Sequence, residues 1–195
     1  DSLLNIPLMH WAEKVTGDRR YKEVAQKHLL TVRDTVIRPD GATYHKFTFD
    51  PCTGKPLGGG TVQGYADNSC WSRGQAWAIY GFALSYACTK DVRDILCFKR
   101  VTDYFLNHLP EDYVPYWDLV FVSGDEPRDS SAAAIAVCGI MEMARHLPND
   151  EDIGRYKGYA KLISSFLMEK YANTDVNTDG LILRATGSIP HGLSV

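Results

Sequence analysis

The chain has 195 residues, with 21 Lys+Arg against 24 Asp+Glu and 6 His, a formal net charge of −3, and 45% hydrophobic, 11% aromatic and 23% charged residues. That aromatic content excludes a disordered chain, and the absence of excess basic charge argues against a nucleic-acid partner held by bulk electrostatics. The longest apolar run, Ala132 to Met141, is about half the ~20 residues a bilayer crossing needs, so no membrane partner is expected either.

Leu3–Val15 is apolar on nearly every side, which predicts a helix packed on more than one face. Tyr21, Val24, Ala25, His28, Leu29 and Val32 then recur at three-four spacing and predict an amphipathic helix with a wet side. Arg38 to Ser69 holds the alternating run Thr43 to Phe49, turn signals at Asp40-Gly41 and Asp50-Pro51, and Gly58-Gly59-Gly60, the pattern of a short β-hairpin with a loop. Trp71–Ala87 is a second all-round apolar helix, rich in small residues such as Gly74, Ala76, Ala78 and Gly81 that admit close neighbours. Val92, Ile95, Leu96, Phe98, Phe105 and Leu109 mark a second one-sided helix, capped by Thr89 or Asp91. After a long segment from Pro110 to Asp129, Ser130–His146 is the third apolar helix. Ile153, Tyr156, Ala160, Ile163, Leu167 and Tyr171 form the third wet one, with Asn149-Asp150-Glu151-Asp152 placing negative charge at its start. The order buried, wet, buried, wet, buried, wet is a repeated helical hairpin, which builds either a solenoid or a closed toroid with the apolar helices inside.

Two patterns resemble ligand loops and fail on inspection. Asp175-Val176-Asn177-Thr178-Asp179-Gly180 matches half a calcium loop, but Thr186 stands where a bidentate Glu belongs, so it is read as a polar turn and no metal is expected. The triple glycine lacks the following Lys-Ser/Thr of a phosphate loop, and no cofactor is expected. Five cysteines, Cys52, Cys70, Cys88, Cys97 and Cys138, are odd in number and contain no CxxC pair. They read as buried reduced thiols, which favours a cytoplasmic location with periplasmic or secreted ones left open. The chain opens at Asp1 with no signal-peptide pattern and closes at Ser194-Val195 after a glycine-rich run, so residues 1–195 are expected to be one partial domain, truncated at both ends.

Chemistry concentrates between Gly64 and Trp77. Arg73 and Trp77 lie four apart on one helix face, and an Arg beside an indole suits a sugar acid: the guanidinium grips a carboxylate while the ring covers the sugar. The alternative is an Arg holding an interior carboxylate while Trp77 fills the core. His45 and Gln63 carry a similar ambiguity between site and surface, and nothing in the spacing interprets Asp1.

The run Asp1-Ser2-Leu3-Leu4-Asn5-Ile6-Pro7-Leu8-Met9-His10-Trp11-Ala12 resembles the unsaturated glucuronyl hydrolases, glycoside hydrolase family 88. So do Tyr44-His45, Gly58-Gly59-Gly60-Thr61-Val62-Gln63-Gly64-Tyr65, Trp71-Ser72-Arg73-Gly74-Gln75-Ala76-Trp77 and Arg128-Asp129-Ser130-Ser131-Ala132, in the same order. The resemblance implies an all-α fold, an (α/α)6 barrel of six helical hairpins, of which this chain would supply about three, with short β-hairpin and loop insertions. It implies a substrate left by a polysaccharide lyase, an oligosaccharide ending in a 4,5-unsaturated uronic acid, cleaved by hydration of the C4=C5 vinyl ether. Asp1 falls on the family's general acid/base, and His45, Gln63, Arg73 and Trp77 on its uronate-binding residues. The family's second active-site carboxylate lies ahead of the position that matches Asp1. An α-ammonium directly beside Asp1 would favour its ionised form and weaken it as an acid. The rivals are the related family 105, unsaturated rhamnogalacturonyl hydrolases, and a non-catalytic glycan-binding toroid. Gln75-Ala76 and Gln63-Gly64-Tyr65 favour family 88 over the first, and the retention of Asp1, Arg73 and Trp77 argues against the second. A sugar epimerase of similar shape would need paired catalytic histidines, a motif the six His do not form.

Overall fold

The computed structural model describes residues 1–177 and 179–193. Six helices carry the chain: α1 (Ile6–Thr16), α2 (Arg19–Thr35), α3 (Ser72–Thr89), α4 (Val92–Asn107), α5 (Ser130–Ala144) and α6 (Asp150–Phe166). One antiparallel hairpin, β1 (Lys46–Phe49) with β2 (Pro56–Gly60), interrupts them, as the alternation before Asp50-Pro51 predicts. A 3-10 turn, Ser2–Asn5, precedes α1, and a π turn, Leu167–Tyr171, extends α6.

Each helix is followed by one that packs on it, α1 by α2, α3 by α4 and α5 by α6, so the chain is three helical hairpins in series. The first two pairs turn within two residues: Gly17 and Lys90 both adopt left-handed backbone and stop their helices, and Asp18 and Asp91 at once start the next by accepting the backbone N–H of Arg20 and Arg93. Asn149 caps α6 by accepting from Asp152 N–H, and its first turn holds Asp150, Glu151 and Asp152. These boundaries agree with the capping residues read from sequence.

The hairpins stack through α3, which touches α1 on one flank and α5 on the other. Ile79, Phe82, Phe98, Phe105, Ile140, Met143, Tyr156 and Ile163 have no exposed surface and form the core between α3, α4, α5 and α6. Small residues set the spacing. A Cβ on Gly81 would run into Leu3, so this glycine lets the Ser2–Asn5 turn settle directly on α3. A buried polar cluster ties the outer helices in: Arg33 of α2 reaches Asp91 at 3.0 Å and Asp94 at 2.5 Å, while Ser85 of α3 donates to the other Asp94 oxygen at 2.9 Å.

Two expectations need correction. α1 is not enclosed: within it only Ile6 is buried, while Leu8, Trp11 and Val15, on one face, are 57%, 61% and 63% exposed. No element among the described residues covers that face. The cysteines are not uniformly buried either. Cys70 is, and burial pushes its thiol up to about 12, but Cys52, Cys88 and Cys138 are exposed, Cys52 in the β1–β2 turn and Cys138 on the α5 side away from the core. The calcium-like turn includes Thr178, which lies outside the described residues, as do Ser194 and Val195. In its described part the Asp175 carboxylate accepts from Asn177 N–H at 2.9 Å, the geometry of a polar turn.

Candidate active site

The 3-10 turn ahead of α1, the second half of α2 and the start of α3 meet the hairpin around a cleft of about 400 Å³. Asp1, His45 and Trp77 all line it, although they come from three separate parts of the chain. Asp1 stands at the N-cap of the 3-10 turn, yet its side chain makes no capping bond. Its carboxylate is therefore not committed to the turn it starts.

His45 is oriented from behind. Its Nδ1 accepts the backbone N–H groups of Val62 and Gln63, both at 3.1 Å, and its ring packs on Trp71 with centroids 4.4 Å apart. A nitrogen that accepts two N–H bonds carries no proton, so the neutral ring holds its hydrogen on Nε2 and can donate from there. Burial holds the His45 pKa below its ordinary value, with the positive charges of Arg73 and Lys46 acting in the same direction. The ring is neutral at pH 7.

Gln63 takes part through its main chain, as the amide that fixes His45; its side chain is not in the cleft lining. Arg73 is also outside the lining, because its fork points inward. Nη1 donates to Asp129 Oδ2 and to the Thr186 carbonyl, both at 2.5 Å, and Nη2 donates to the Gly187 carbonyl at 2.8 Å. Of the two readings the sequence left open, Arg73 adopts the interior one. Trp77 does not: it is half-buried and forms cleft wall. Arg73 still faces the site indirectly, its guanidinium 4.5 Å from the centroid of the Trp71 ring on which His45 rests.

Sequence reasoning did not single out three residues that build this end of the molecule. Trp71 is 6% exposed and backs His45; it stood in the dense Gly64–Trp77 stretch, next to the residues chosen. Asp129 has no exposed surface, caps α5 through Ala132 N–H and pairs with Arg73; burial pushes its carboxyl up, against the pull of Arg73. Asp118 is equally buried and accepts from Tyr65 N–H, Ser69 Oγ–H, Cys70 N–H and Val120 N–H, pinning the 61–71 loop beneath the cleft. A capping Asp at the start of α5 was legible; a carboxylate collecting three donors from a loop about 50 residues away was not.

A larger cleft, about 650 Å³, lies beside the 124–128 and 170–186 segments and holds none of the predicted residues. Its central acid, Asp112, is already paired with Arg128 at 2.8 Å and with the Tyr171 hydroxyl at 3.1 Å. The convergence of predicted residues favours the smaller one.

No family model matches the chain. Curated proteins do. The unsaturated chondroitin disaccharide hydrolase of Streptococcus pneumoniae is 50% identical over 187 residues, covering 94% of this chain and 47% of the relative. The unsaturated glucuronyl hydrolase of Bacillus sp. (strain GL1) is 42% identical over 199 residues, covering 100% and 52%. Among solved structures, unsaturated glucuronyl hydrolase from Streptococcus agalactiae superposes with a TM-score of 0.94 at 48% identity, over 97% of this chain and 49% of that one. The enzyme from Bacillus sp. GL1 gives 0.95 at 41% identity, over 98% and 52%. All of these are named as hydrolases acting on unsaturated sugars. Over nearly its whole length the chain is similar to unsaturated glucuronyl hydrolases, and it spans about half the length of the curated relatives it matches.

Proposed function

We propose that the protein carrying this chain hydrolyses oligosaccharides ending in a 4,5-unsaturated uronic acid, and that the three hairpins are about half of an (α/α)6 barrel. What supports the activity is the convergence of Asp1, His45 and Trp77 on one cleft between the 3-10 turn, α2, the hairpin and the start of α3. Protonated Asp1 delivers its hydrogen to C4 of the vinyl ether, and positive charge develops at C5, shared with the ring oxygen. Water adds to C5 and gives a proton back to the Asp1 carboxylate, so one group serves as acid and then base. The hemiketal so formed opens, and the leaving sugar departs. Because the proton goes to carbon, the two-carboxylate geometry about an anomeric centre is not required.

Neutral His45 donates from Nε2 to the uronate or to the water, and Trp77 covers the planar unsaturated ring. Gln63 contributes the amide that holds His45. Arg73 supports the subsite through Trp71 and Asp129. No bulk positive field draws the anion in, since the net charge is −3, so local donors must bind it.

The substrate class we favour is the unsaturated chondroitin disaccharide. Three streptococcal relatives bearing that name are 49–50% identical to this chain, against 42% and 34% for the two called unsaturated glucuronyl hydrolase. A structure of the Streptococcus agalactiae enzyme, 48% identical, is complexed with dGlcA-GalNAc6S. The test is loss of the ultraviolet absorbance of the conjugated C4=C5 bond, followed on lyase products of chondroitin, gellan and rhamnogalacturonan. We expect the chondroitin product to be cleaved fastest and Asp1→Asn to abolish turnover while binding persists. Cleavage of the rhamnogalacturonan product alone would transfer the chain to the rival family, and full activity of Asp1→Asn would remove Asp1 from the reaction.

A further inference from the structure

We infer that His28 of α2 is a positioning residue for Asp1; this rests on the reading of Asp1 as the acid and extends it to what aims the carboxylate. Asp1 begins a short 3-10 turn whose backbone bonds include Leu4 N–H to the Asp1 carbonyl at 2.9 Å and Ile6 N–H to the Leu3 carbonyl. So short a turn does not hold its own conformation, because nucleation costs more than a few such bonds return. Two contacts from outside fix it.

The first is apolar. Leu3, 4% exposed, seats on α3 where Gly81 leaves room. The second is directional. His28 Nε2 lies 3.0 Å from the carbonyl oxygen of Ser2, and a carbonyl can only accept, so the ring must donate from Nε2. His28 and Ser2 both line the Asp1 cleft. The imidazole is exposed, but the helix that carries it is anchored, since Ala25, Leu29 and Val32 bury the adjoining face of α2.

The contacts divide the work. Packing of Leu3 sets how deep the turn sits but is insensitive to rotation about that anchor. The His28 bond grips the peptide next to Asp1 and fixes the rotation, and with it the direction of the carboxylate. Protonating carbon needs that direction: a displacement of about 1 Å at a reacting group costs on the order of 100-fold in rate. His28 acts through the backbone, and its loss affects aim more than binding.

The experiment compares His28→Leu with His28→Gln in the protein that carries this chain, using the unsaturated chondroitin disaccharide. His28→Leu is expected to lower kcat by roughly tenfold or more with KM within about twofold, and His28→Gln, whose amide nitrogen can reach the Nε2 position, to restore most of kcat. Thermal midpoints of the two variants should coincide. If His28→Leu does not fold, His28→Asn, one bond too short to reach Ser2, takes its place with the same expectation. Unchanged kcat in the Leu or Asn variant, or equal loss in the Gln variant, overturns the assignment while leaving the activity standing. An unsubstituted protein that cleaves none of the unsaturated substrates rejects the activity itself, and the inference with it.

Discussion

Arg73 donates to a carboxylate with no exposed surface, so its removal strands Asp129 as a buried charge without its cation. Arg73→Ala should therefore cost about 3 kcal/mol of stability, read from the urea midpoint, and Arg73→Ala/Asp129→Ala should recover part of that loss. Trp77→Ala should behave differently, raising KM about fivefold through lost ring stacking. If instead Arg73→Ala weakened binding at unchanged stability, the guanidinium would be a substrate contact after all. The two residues are four apart and looked equivalent in sequence. What separates them is remote: Asp129 is 56 residues from Arg73 and the Thr186 carbonyl 113, and no local pattern announces such partners. Nothing in the spacing around His45, likewise, told that its Nδ1 would be taken by two amides. Residue types and their order were readable; the direction each side chain takes was decided by contacts far along the chain.

At the scale of elements the sequence was more informative, because caps and apolar periods are local. Asp91 was a candidate start for α4 and is its cap, where hydrogen bonding from Arg93, with further help from Arg33, holds its carboxyl far below the usual 3.8. The folded state then binds a proton at Asp91 less readily than the unfolded chain. The resulting stability is present in full above the unfolded pKa of 3.8 and is lost as pH falls below it. Asp91→Asn keeps a capping oxygen but removes the charge, so the stability gap between wild type and this variant should be about 1 kcal/mol at pH 7 and narrow progressively as the pH falls below about 4. A gap independent of pH would assign the effect to the hydrogen bond alone. α1 was the element least well read, for a physical reason. Its all-round apolar composition predicts packing on more than one face, but only one face has a partner among the described residues.

That uncovered face belongs to the scale of the whole molecule. Leu8, Trp11 and Val15 follow one another at three and four residues and make a contiguous apolar stripe on α1. Exposed stripes of this kind associate. The 195-residue chain on its own is expected to sediment as species heavier than the monomer, and Leu8→Glu/Trp11→Glu to shift it toward the monomer. A chain that runs as a clean monomer without those changes would mean the stripe tolerates water.

The Arg73 tether also has a meaning in time. A ribosome delivers Arg73 first, Asp129 much later, and the carbonyls of Thr186 and Gly187 later still. A growing chain can thus complete its first two hairpins and pair the guanidinium with one carboxylate, yet the wall behind Trp71 stays unfinished until Gly187 has left the exit tunnel. Competence of this end of the molecule arrives only once the segment through Gly187 has been made.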